Sequence, residues 1–462
     1  MLYKKRLFQG AALAVISALT LTACGGGTGR SSSAVSNNTK ANTSTSSGTS
    51  STTNTSNSAD TSTTTTTNSS TPIRLLNGKV EIDEQLQQYA SNYEKKTGQK
   101  VIIESVGGGV DITATIKNYN AAGNMPDIFV TTPGDLSQFR DLYYDLSNEP
   151  WVQDTEAEML DSEGRVVGAP YAVEGIGLVY NADILAKADI NPDTLVNINE
   201  QRAAFEKLDA MKDELGLQSV ISVAAESGQM YWSTGNHIFS AYLTMGVDVS
   251  DKTLLNDLLG GNMDAERLGH LADYFKLLCS YADPTVLLSG TYDDQLALFA
   301  QGKAAFITQG NWIDPSLPTY GATFDCGILP YAMFEEDTSG VTADAPSWWA
   351  VFKDGKNVPA SIAFLNDILM SDEGRKMFVE DAGAISAFKS SKYAPSTPVS
   401  ANLFKRMQAG PTYAWDWSFL PASISQNSLA PVFELYAKDE ITRDQFVSMI
   451  MTSVTDYVAE NQ

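Results

Sequence analysis

The sequence predicts an α/β protein built from two lobes, and three observations lead to this prediction. Strands and helices alternate from residue 73 to residue 131, which is typical of a parallel sheet with crossover helices. The part of this 462-residue chain that follows residue 72 exceeds the size at which one hydrophobic core usually suffices. The extended apolar stretch 170–180 is too long for one strand of one compact sheet, so it indicates a crossing between lobes.

The first 23 residues are predicted to be a cleaved export signal. A basic start at residues 4–6 precedes an apolar run at 7–21, and Ala23 stands before Cys24. The run is shorter than the roughly 20 apolar residues that favour a membrane-spanning helix. The ending Leu-Thr-Ala-Cys resembles the lipobox of bacterial lipoproteins, which implies a diacylglyceryl group on Cys24 and anchoring at the extracellular face of the cytoplasmic membrane. An ordinary signal with an accidental cysteine is the alternative.

Residues 24–72 are predicted to be a disordered tether between the lipidated cysteine and the fold. The segment is dominated by Ser, Thr and Asn, carries almost no charge and shows no apolar periodicity. Such a segment cannot bury enough surface to offset the entropy lost on ordering.

Composition excludes some classes of partner and site. The net charge of −24 argues against nucleic acid or an anionic surface as a partner. Two histidines and three cysteines show no zinc-ligand spacing, so no metal and no cofactor is expected. Cys279 and Cys326 are expected either as buried thiols or as a disulfide, since export permits oxidation.

The first predicted elements place three loops at one edge of a sheet. Strands begin near residues 73, 100 and 127, with helices between them, and Gly98 is a natural helix stop. Parallel sheets bind ligands beyond the carboxyl ends of their strands, here residues 77–78, 107–109 and 131–135. The glycine run lacks the spacing of a phosphate loop. Gly108 is therefore expected to let the backbone approach a ligand or simply to make the turn.

Later elements complete the predicted lobes. Helices are expected at 199–215, 236–246, 264–281 and 293–301, and the stretch Trp-Trp-Ala-Val-Phe from residue 348 reads as a strand. The extended segment 323–331 is interpreted as a second crossing, and a third is expected after the helices near residue 380. These crossings predict lobe 1 as residues 73–173 and 329–380, and lobe 2 as 174–328 and 381–462.

Three segments together resemble a known family. YAVEGIGLVYN, LFAQGKAAFITQGNW and ASIAFLNDILMSDEGRKMF occur in this order and resemble the extracellular solute-binding proteins of ABC sugar importers, of which the maltose-binding protein is the best-known member. The resemblance covers nearly all of residues 73–462. It implies a periplasmic-binding-protein-like (Venus flytrap) fold, an oligosaccharide in the interlobe cleft and ABC permease subunits as partners.

The resemblance and the chemistry of sugars select the first candidate residues. Trp312 follows a short strand, and the family has a sugar-stacking tryptophan at the end of this motif; a core tryptophan is the alternative. Glu174 matches an acid that hydrogen-bonds sugar in the maltose-binding protein, and a charged acceptor makes strong bonds to hydroxyls. A salt bridge at the hinge is the alternative for Glu174. Asp135 matches the family only loosely, so it is either a site residue or a helix N-cap.

Further candidates rest on chemistry and location alone. Trp232 and His237 lie in an aromatic and polar loop before a helix, and His237 is expected to be a neutral hydrogen-bonding group or a plain helix-start residue. Trp348 and Trp349 point to opposite faces of a strand, and Trp348 is chosen for the cleft. Trp415 and Trp417 have the same parity, so both are expected to face a long ligand in an extended loop.

Two other functions remain open at the level of sequence. A cell-surface adhesin or sensor could use the same lobes to bind a carbohydrate without an importer. A glycoside-active enzyme would need two carboxyl groups about 5 to 10 Å apart, but the adjacent Asp293 and Asp294 look like a helix start. We therefore expect a binding protein and not an enzyme.

Overall fold

A computed structural model of the chain describes residues 71–107, 110–338 and 340–461. The predicted export signal, Cys24, the tether up to residue 70 and Gly108 lie outside the described residues. Within those ranges, no helix combines the length and the apolar character that crossing a bilayer requires.

The β-strands are short and largely buried, as expected of strands covered on both faces. In chain order they are β1 (Ile73–Asn77), β2 (Val101–Ser105), β3 (Ile128–Thr131), β4 (Met159–Leu160), β5 (Val166–Pro170), β6 (Glu174–Asn181), β7 (Ile221–Ser222), β8 (Phe306–Gly310), β9 (Cys326–Leu329), β10 (Val341–Asp344), β11 (Trp348–Val351) and β12 (Thr412–Tyr413).

The α-helices cover and connect these strands. They are α1 (Asp83–Thr97), α2 (Ile112–Ala121), α3 (Leu136–Phe139), α4 (Ala182–Lys187), α5 (Ile198–Ala210), α6 (Lys212–Leu215), α7 (Ser240–Thr244), α8 (Thr253–Leu259), α9 (Ala265–Ser280), α10 (Pro284–Ser289), α11 (Tyr292–Ala300), α12 (Val358–Met370), α13 (Asp372–Lys376), α14 (Pro398–Ala409), α15 (Ala422–Ile424), α16 (Ala430–Ala437) and α17 (Arg443–Asn461).

Two helix ends confirm signals that the sequence carries. α1 stops at Gly98, whose φ of 77° lies in the left-handed region that glycine adopts without strain. α11 begins with a capping box, in which Thr291 and Asp294 bond each other's backbone N–H groups. The adjacent acids Asp293 and Asp294 are therefore a helix start, as predicted.

The first sheet, with the helices packed on it, forms lobe 1. Its described strands have the order β2-β1-β3-β11-β5-β4. β1 lies parallel to both β2 and β3, so the early alternation of strands and helices does form a parallel sheet. β11 comes from much later in the chain and pairs antiparallel with β3 and β5.

The second sheet, with its helices, forms lobe 2. Its described strands have the order β12-β10-β6-β8-β7, and β9 also pairs with β6. β6 is antiparallel to β8, β9 and β10. Gly177 in β6 allows this packing, because a Cβ at that position would lie 2.0 Å from the carbonyl oxygen of Leu329.

The strand order locates the crossings between the two sheets, and two of them lie later in the chain than the predicted boundaries. The first crossing lies between the end of β5 at Pro170 and the start of β6 at Glu174. The second lies between β10 and β11, later than the predicted residue 329, because β9 and β10 are both strands of lobe 2. An extended apolar segment looks alike in sequence whether it crosses between lobes or pairs within one.

The third crossing also lies later than the predicted residue 380. Phe388 still packs in the core of lobe 1, whereas α14 packs against β9 of lobe 2. Ile385, however, already packs in a core cluster of lobe 2 and pairs with Val173 of the first crossing, so the connection lies between residue 384 and the start of α14 at Pro398.

Both described cysteines are free thiols, so the disulfide alternative does not hold in this structure. Burial raises the pKa of Cys279 to about 12 and also raises the pKa of Cys326. A buried thiol with a raised pKa is a poor nucleophile, and both residues act as apolar packing groups.

Candidate functional site

A cavity of about 240 Å³ lies between the two sheets and is lined by residues of both lobes. Lobe 1 contributes the loops after β1, β2 and β3, through Gly78, Gly107 and Thr132 among others. These are the loops that the parallel arrangement of the strands predicts at the ligand edge. Lobe 2 contributes the larger part of the aromatic surface.

Five rings form what we call the aromatic cluster: Trp232, His237, Trp312, Trp415 and Trp417. His237 lies at its centre, with ring centroids at 5.1 Å from Trp232, 4.9 Å from Trp312, 5.9 Å from Trp415 and 6.0 Å from Trp417. Trp312 and Trp415 are stacked at 6.0 Å with 21° between their planes. All five rings line the cavity, so the structure brings together residues that lie up to 185 positions apart in the chain.

A chain of buried amides fixes the indole of Trp312. Its Nε1–H donates to the side-chain oxygen of Gln309 at 2.9 Å. The amide nitrogen of Gln309 in turn donates to Gln295 at 2.7 Å, and Gln295 donates to the backbone of Ser222. Both glutamines are fully buried. Trp312, which is itself only partly buried, is thus held in one orientation at the end of β8, where the sequence places it.

A π-helix at Ser233–Ile238 positions the polar members of the site. The N–H of Phe239 donates to the carbonyl of Thr234, five residues earlier, and such wide turns are frequent at functional sites. Asn236 and His237 are 7% and 8% exposed. Neither the Asn236 Oδ1 nor the His237 Nδ1 has a hydrogen-bond partner among the described residues. Buried polar atoms without partners are costly, and both atoms belong to side chains that line the cavity.

The imidazole of His237 is neutral over the physiological pH range. Burial, and to a smaller extent the positive charge of Lys79, lower its pKa to about 3. This agrees with the prediction of a neutral hydrogen-bonding group. Below pH 6.5 His237 binds a proton in the unfolded chain but not in the folded protein, which takes it up only near pH 3. Acid therefore lowers the free energy of unfolding over this range.

We expect the free energy of unfolding of the protein to fall faster with acid than that of His237→Gln. The contribution of His237 is complete above pH 6.5 and shrinks as the pH drops towards 3, by about 3 kcal/mol at pH 4. Urea unfolding of both proteins between pH 4 and pH 7 measures the difference. Parallel pH profiles for the two proteins would show that His237 is not buried in its neutral form.

An ion pair joins the lobes at one end of the cavity. The ammonium of Lys79, just after β1, donates to the carboxylate of Glu174 at 2.6 Å, and the two side chains are 14% and 6% exposed. Burial lowers the pKa of Lys79, but attraction by Glu174, Tyr171 and Glu81 outweighs burial and raises it above its usual value. Both residues line the cavity, so Glu174 combines its two sequence interpretations, a salt bridge at the hinge and a cavity position.

Asp135 lines the cavity and does not cap the helix that follows it. Its carboxyl group accepts from the hydroxyls of Thr113 at 2.8 Å and Thr132 at 3.1 Å, and it makes no side-chain bond to the first turn of α3. Burial raises its pKa, and the two hydroxyls oppose that shift.

Trp348 lies outside the cavity, and the prediction that it faces the cleft is wrong. Its indole N–H donates to the carbonyl of Ala157 at 2.5 Å, and the side chain packs in the core of lobe 1. Trp349 is fully buried on the opposite face, stacked on Tyr171 at 4.3 Å. Both faces of β11 are covered in lobe 1, so alternation along the strand could not tell which ring reaches a cleft, and neither lines the cavity.

Sequence reasoning missed several lining residues, chiefly Lys79, Glu81 and Tyr292. Lys79 directly follows the Asn77-Gly78 pair at the end of β1, and Glu81 lies two residues further on, next to a loop that the sheet rule selects. Tyr292, the first residue of α11, has no local signal, because its position depends on how α11 packs against the second sheet.

The lobes touch at the rim of the cavity. A Cβ on Gly134 would lie 2.5 Å from the carbonyl oxygen of Leu420, across the gap between the lobes. Only glycine permits this approach without displacement of the backbone. Among the described residues, no group of three or more His, Cys, Asp or Glu side chains is arranged to hold a metal ion.

Two α/β lobes, several crossings and an aromatic cavity between the lobes define a two-lobed solute-binding protein. The chain belongs to the family of bacterial extracellular solute-binding proteins, whose family model matches residues 88–405. A maltooligosaccharide ABC transporter solute-binding lipoprotein of Streptococcus pneumoniae strain R6 is 23% identical over 320 residues, which cover 65% of this chain and 69% of that protein.

Solved structures share the two-lobed fold. A sugar transporter protein of Bacillus licheniformis in complex with stachyose has a TM-score of 0.66 at 18% identity, over 82% of this chain and 98% of that one. An ABC substrate-binding protein of Listeria monocytogenes in complex with cycloalternan has a TM-score of 0.63 at 18% identity, over 84% of this chain and 99% of that one. The likeness confirms the fold predicted from the sequence.

Proposed function

We propose that this protein is the sugar-binding component of an ABC importer and that it captures an oligosaccharide between its lobes. The observation that carries the proposal is the aromatic cluster, which stands beside buried polar atoms without protein partners. Relatives named as ABC transporter solute-binding lipoproteins for maltooligosaccharides support the same class of cargo.

The chemistry of a sugar matches this lining. A pyranose ring has apolar C–H faces and a belt of hydroxyls around its edge. The C–H faces pack on flat indoles such as Trp312, while the hydroxyls bond to the Asn236 oxygen, the His237 nitrogen and the Glu174 carboxylate. A hydrogen bond from a sugar hydroxyl to an ionised carboxylate such as Glu174 is stronger than one between two neutral groups.

The size of the site is compatible with a short chain of sugars. A second groove, of about 410 Å³, shares Glu81, Gly107 and Tyr292 with the cavity and is also lined from both lobes. A ligand longer than the cavity can continue along this groove towards Tyr320. The identity of the sugar units that fit is set by the positions of their hydroxyls.

Sugar binding would favour the form in which the lobes are closed. A ligand that contacts both lobes binds that form more tightly, and moving the population from 1:99 to 99:1 requires about 5.5 kcal/mol of preference. The closed protein then presents both lobes to the permease subunits. Lipidation of Cys24 would hold the protein at the extracellular face of the cytoplasmic membrane, with residues 24–72 as the tether.

Calorimetry with a carbohydrate panel tests the proposal. Maltooligosaccharides, raffinose, stachyose and chitin oligosaccharides are titrated into the purified protein, and we expect at least one to bind with a Kd of about 10 μM or tighter. The same mixtures are incubated and analysed for cleavage, and we expect the sugars to be recovered intact. Absence of binding by every sugar at about 1 mM, or turnover of any of them, would reject a role in sugar capture.

A further inference from the structure

Acidic groups outnumber basic groups in the lining of the cavity, and this imbalance bears on the class of sugar that can bind. Among the described lining residues there is one ammonium, Lys79, and there are three carboxyl groups, Glu81, Asp135 and Glu174. The neutral state of His237 removes the other lining group able to carry a positive charge at neutral pH.

The one ammonium is already engaged. Lys79 and Glu174 are 2.6 Å apart and both are largely buried. An anionic ligand could use Lys79 only by separating this pair, which would leave the Glu174 carboxylate buried without its partner. An anionic ligand therefore finds no cation among the described lining residues that it can bind without breaking this ion pair.

The other two carboxyl groups of the described lining, Glu81 and Asp135, add to the negative side of the balance. Burial raises the pKa of Glu81, and the positive charge of Lys79 acts in the opposite direction, towards the ionised form. Asp135 receives hydroxyl bonds from Thr113 and Thr132. Glu81 lies on the shared wall between the cavity and the neighbouring groove, so a ligand that spans both passes beside it.

A positively charged group on the ligand, in contrast, would find attractive partners in the cavity. The aromatic cluster presents indole faces, which attract cations, and the carboxyl group of Glu81 lines the same cavity. The unpaired oxygen of Asn236 is a further acceptor for an N–H group.

Building on the proposed function, we propose that the cavity selects its sugar by charge: it accepts neutral and amino sugars, it rejects sugars that carry a carboxylate or a phosphate, and Glu81 is the specificity-determining residue. Lys79 and Glu174 make a neutral pair in this scheme. Glu81 repels a ligand anion directly and attracts a ligand ammonium.

The test uses four forms of one sugar. The tightest neutral ligand of the panel is compared with its derivative oxidised to a carboxylate at the primary alcohols, with the methyl ester of that acid, and with its 6-amino-6-deoxy derivative. The ester removes the charge of the acid and adds only one methyl group. We expect the acid to bind at least about 100-fold more weakly than its ester, and the amine to bind at least as tightly as the ester.

Variants then assign the effect to Glu81. In Glu81→Gln the ratio of the dissociation constants of the acid and its ester should fall by at least about tenfold. Glu163→Gln, at an exposed turn of lobe 1, should leave this ratio unchanged. If Glu81→Gln fails to fold, the comparison of acid and ester in the unmodified protein still tests the charge selection, and Glu81→Ala tests the role of Glu81.

The outcomes separate the two proposals. If no neutral sugar binds, the proposed function fails and the charge selection, which rests on it, fails too. If neutral sugars bind but the acid binds as tightly as its ester, the proposed function stands and the charge selection is wrong. An unchanged ratio of the two dissociation constants in a folded Glu81→Gln protein would reject the role of Glu81.

Discussion

Trp312→Ala is expected to weaken binding of the best sugar of the panel by at least about 100-fold. The substitution removes a flat apolar surface worth about 1.5–3 kcal/mol when buried and an aromatic stacking term of about 1 kcal/mol. It also takes away the ring that stacks on Trp415 at 6.0 Å and contacts His237 at 4.9 Å, so the neighbouring rings lose their fixed orientation. Calorimetry of both proteins with the same sugar measures the change.

A second tryptophan provides the matched control for Trp312→Ala. Trp348 is buried in lobe 1 outside the cavity, so Trp348→Phe should reduce the melting temperature but keep the affinity. Trp312→Phe retains a ring and should bind with intermediate affinity. Wild-type affinity in a folded Trp312→Ala protein would remove Trp312 from the site and return it to the core interpretation.

The fold was predictable where local signals and sheet geometry agree. The alternation over residues 73–131 predicts the parallel strands β1, β2 and β3, and Gly98 predicts the end of α1. The boundaries between lobes were less accessible, because β9 and β10 carry the same apolar, extended pattern as a hinge segment. Their assignment depends on pairing with β6, a contact between residues far apart in sequence.

The candidate site was predictable where a residue type has few reasons to occur in a loop. Trp232, Trp415 and Trp417 are large rings in polar or irregular segments, and all three reach the cavity. The prediction for Trp348 was wrong because both faces of β11 are buried, so the sequence does not show which face, if either, borders the cavity. Lys79 and Glu81 were overlooked because charged residues after a turn are ordinarily solvated, and only the position of β6 shows that Lys79 is buried against Glu174.

Glu174→Gln is expected to lower the free energy of unfolding of the ligand-free protein by about 3–5 kcal/mol. The amide keeps the shape of the side chain but leaves the ammonium of Lys79 buried without its hydrogen-bonded counter-charge, and the attraction by Glu81 replaces it only in part. Because Lys79 follows β1 of lobe 1 and Glu174 begins β6 of lobe 2, the loss should also loosen the junction between the lobes. Urea unfolding at neutral pH without sugar measures the effect.

The double variant Lys79→Met/Glu174→Gln separates the value of the pair from the cost of an unpaired charge. Removing the ammonium as well should restore much of the lost stability, since replacing both partners of a buried pair is often nearly neutral. Lys389 and Glu156 are 2.7 Å apart but largely exposed, so they provide a comparison at similar distance, and Glu156→Gln should cause no measurable change. Equal stability of Glu174→Gln and the unmodified protein would mean that water reaches Lys79, and the neutral pair on which the charge selection depends would then lose its basis.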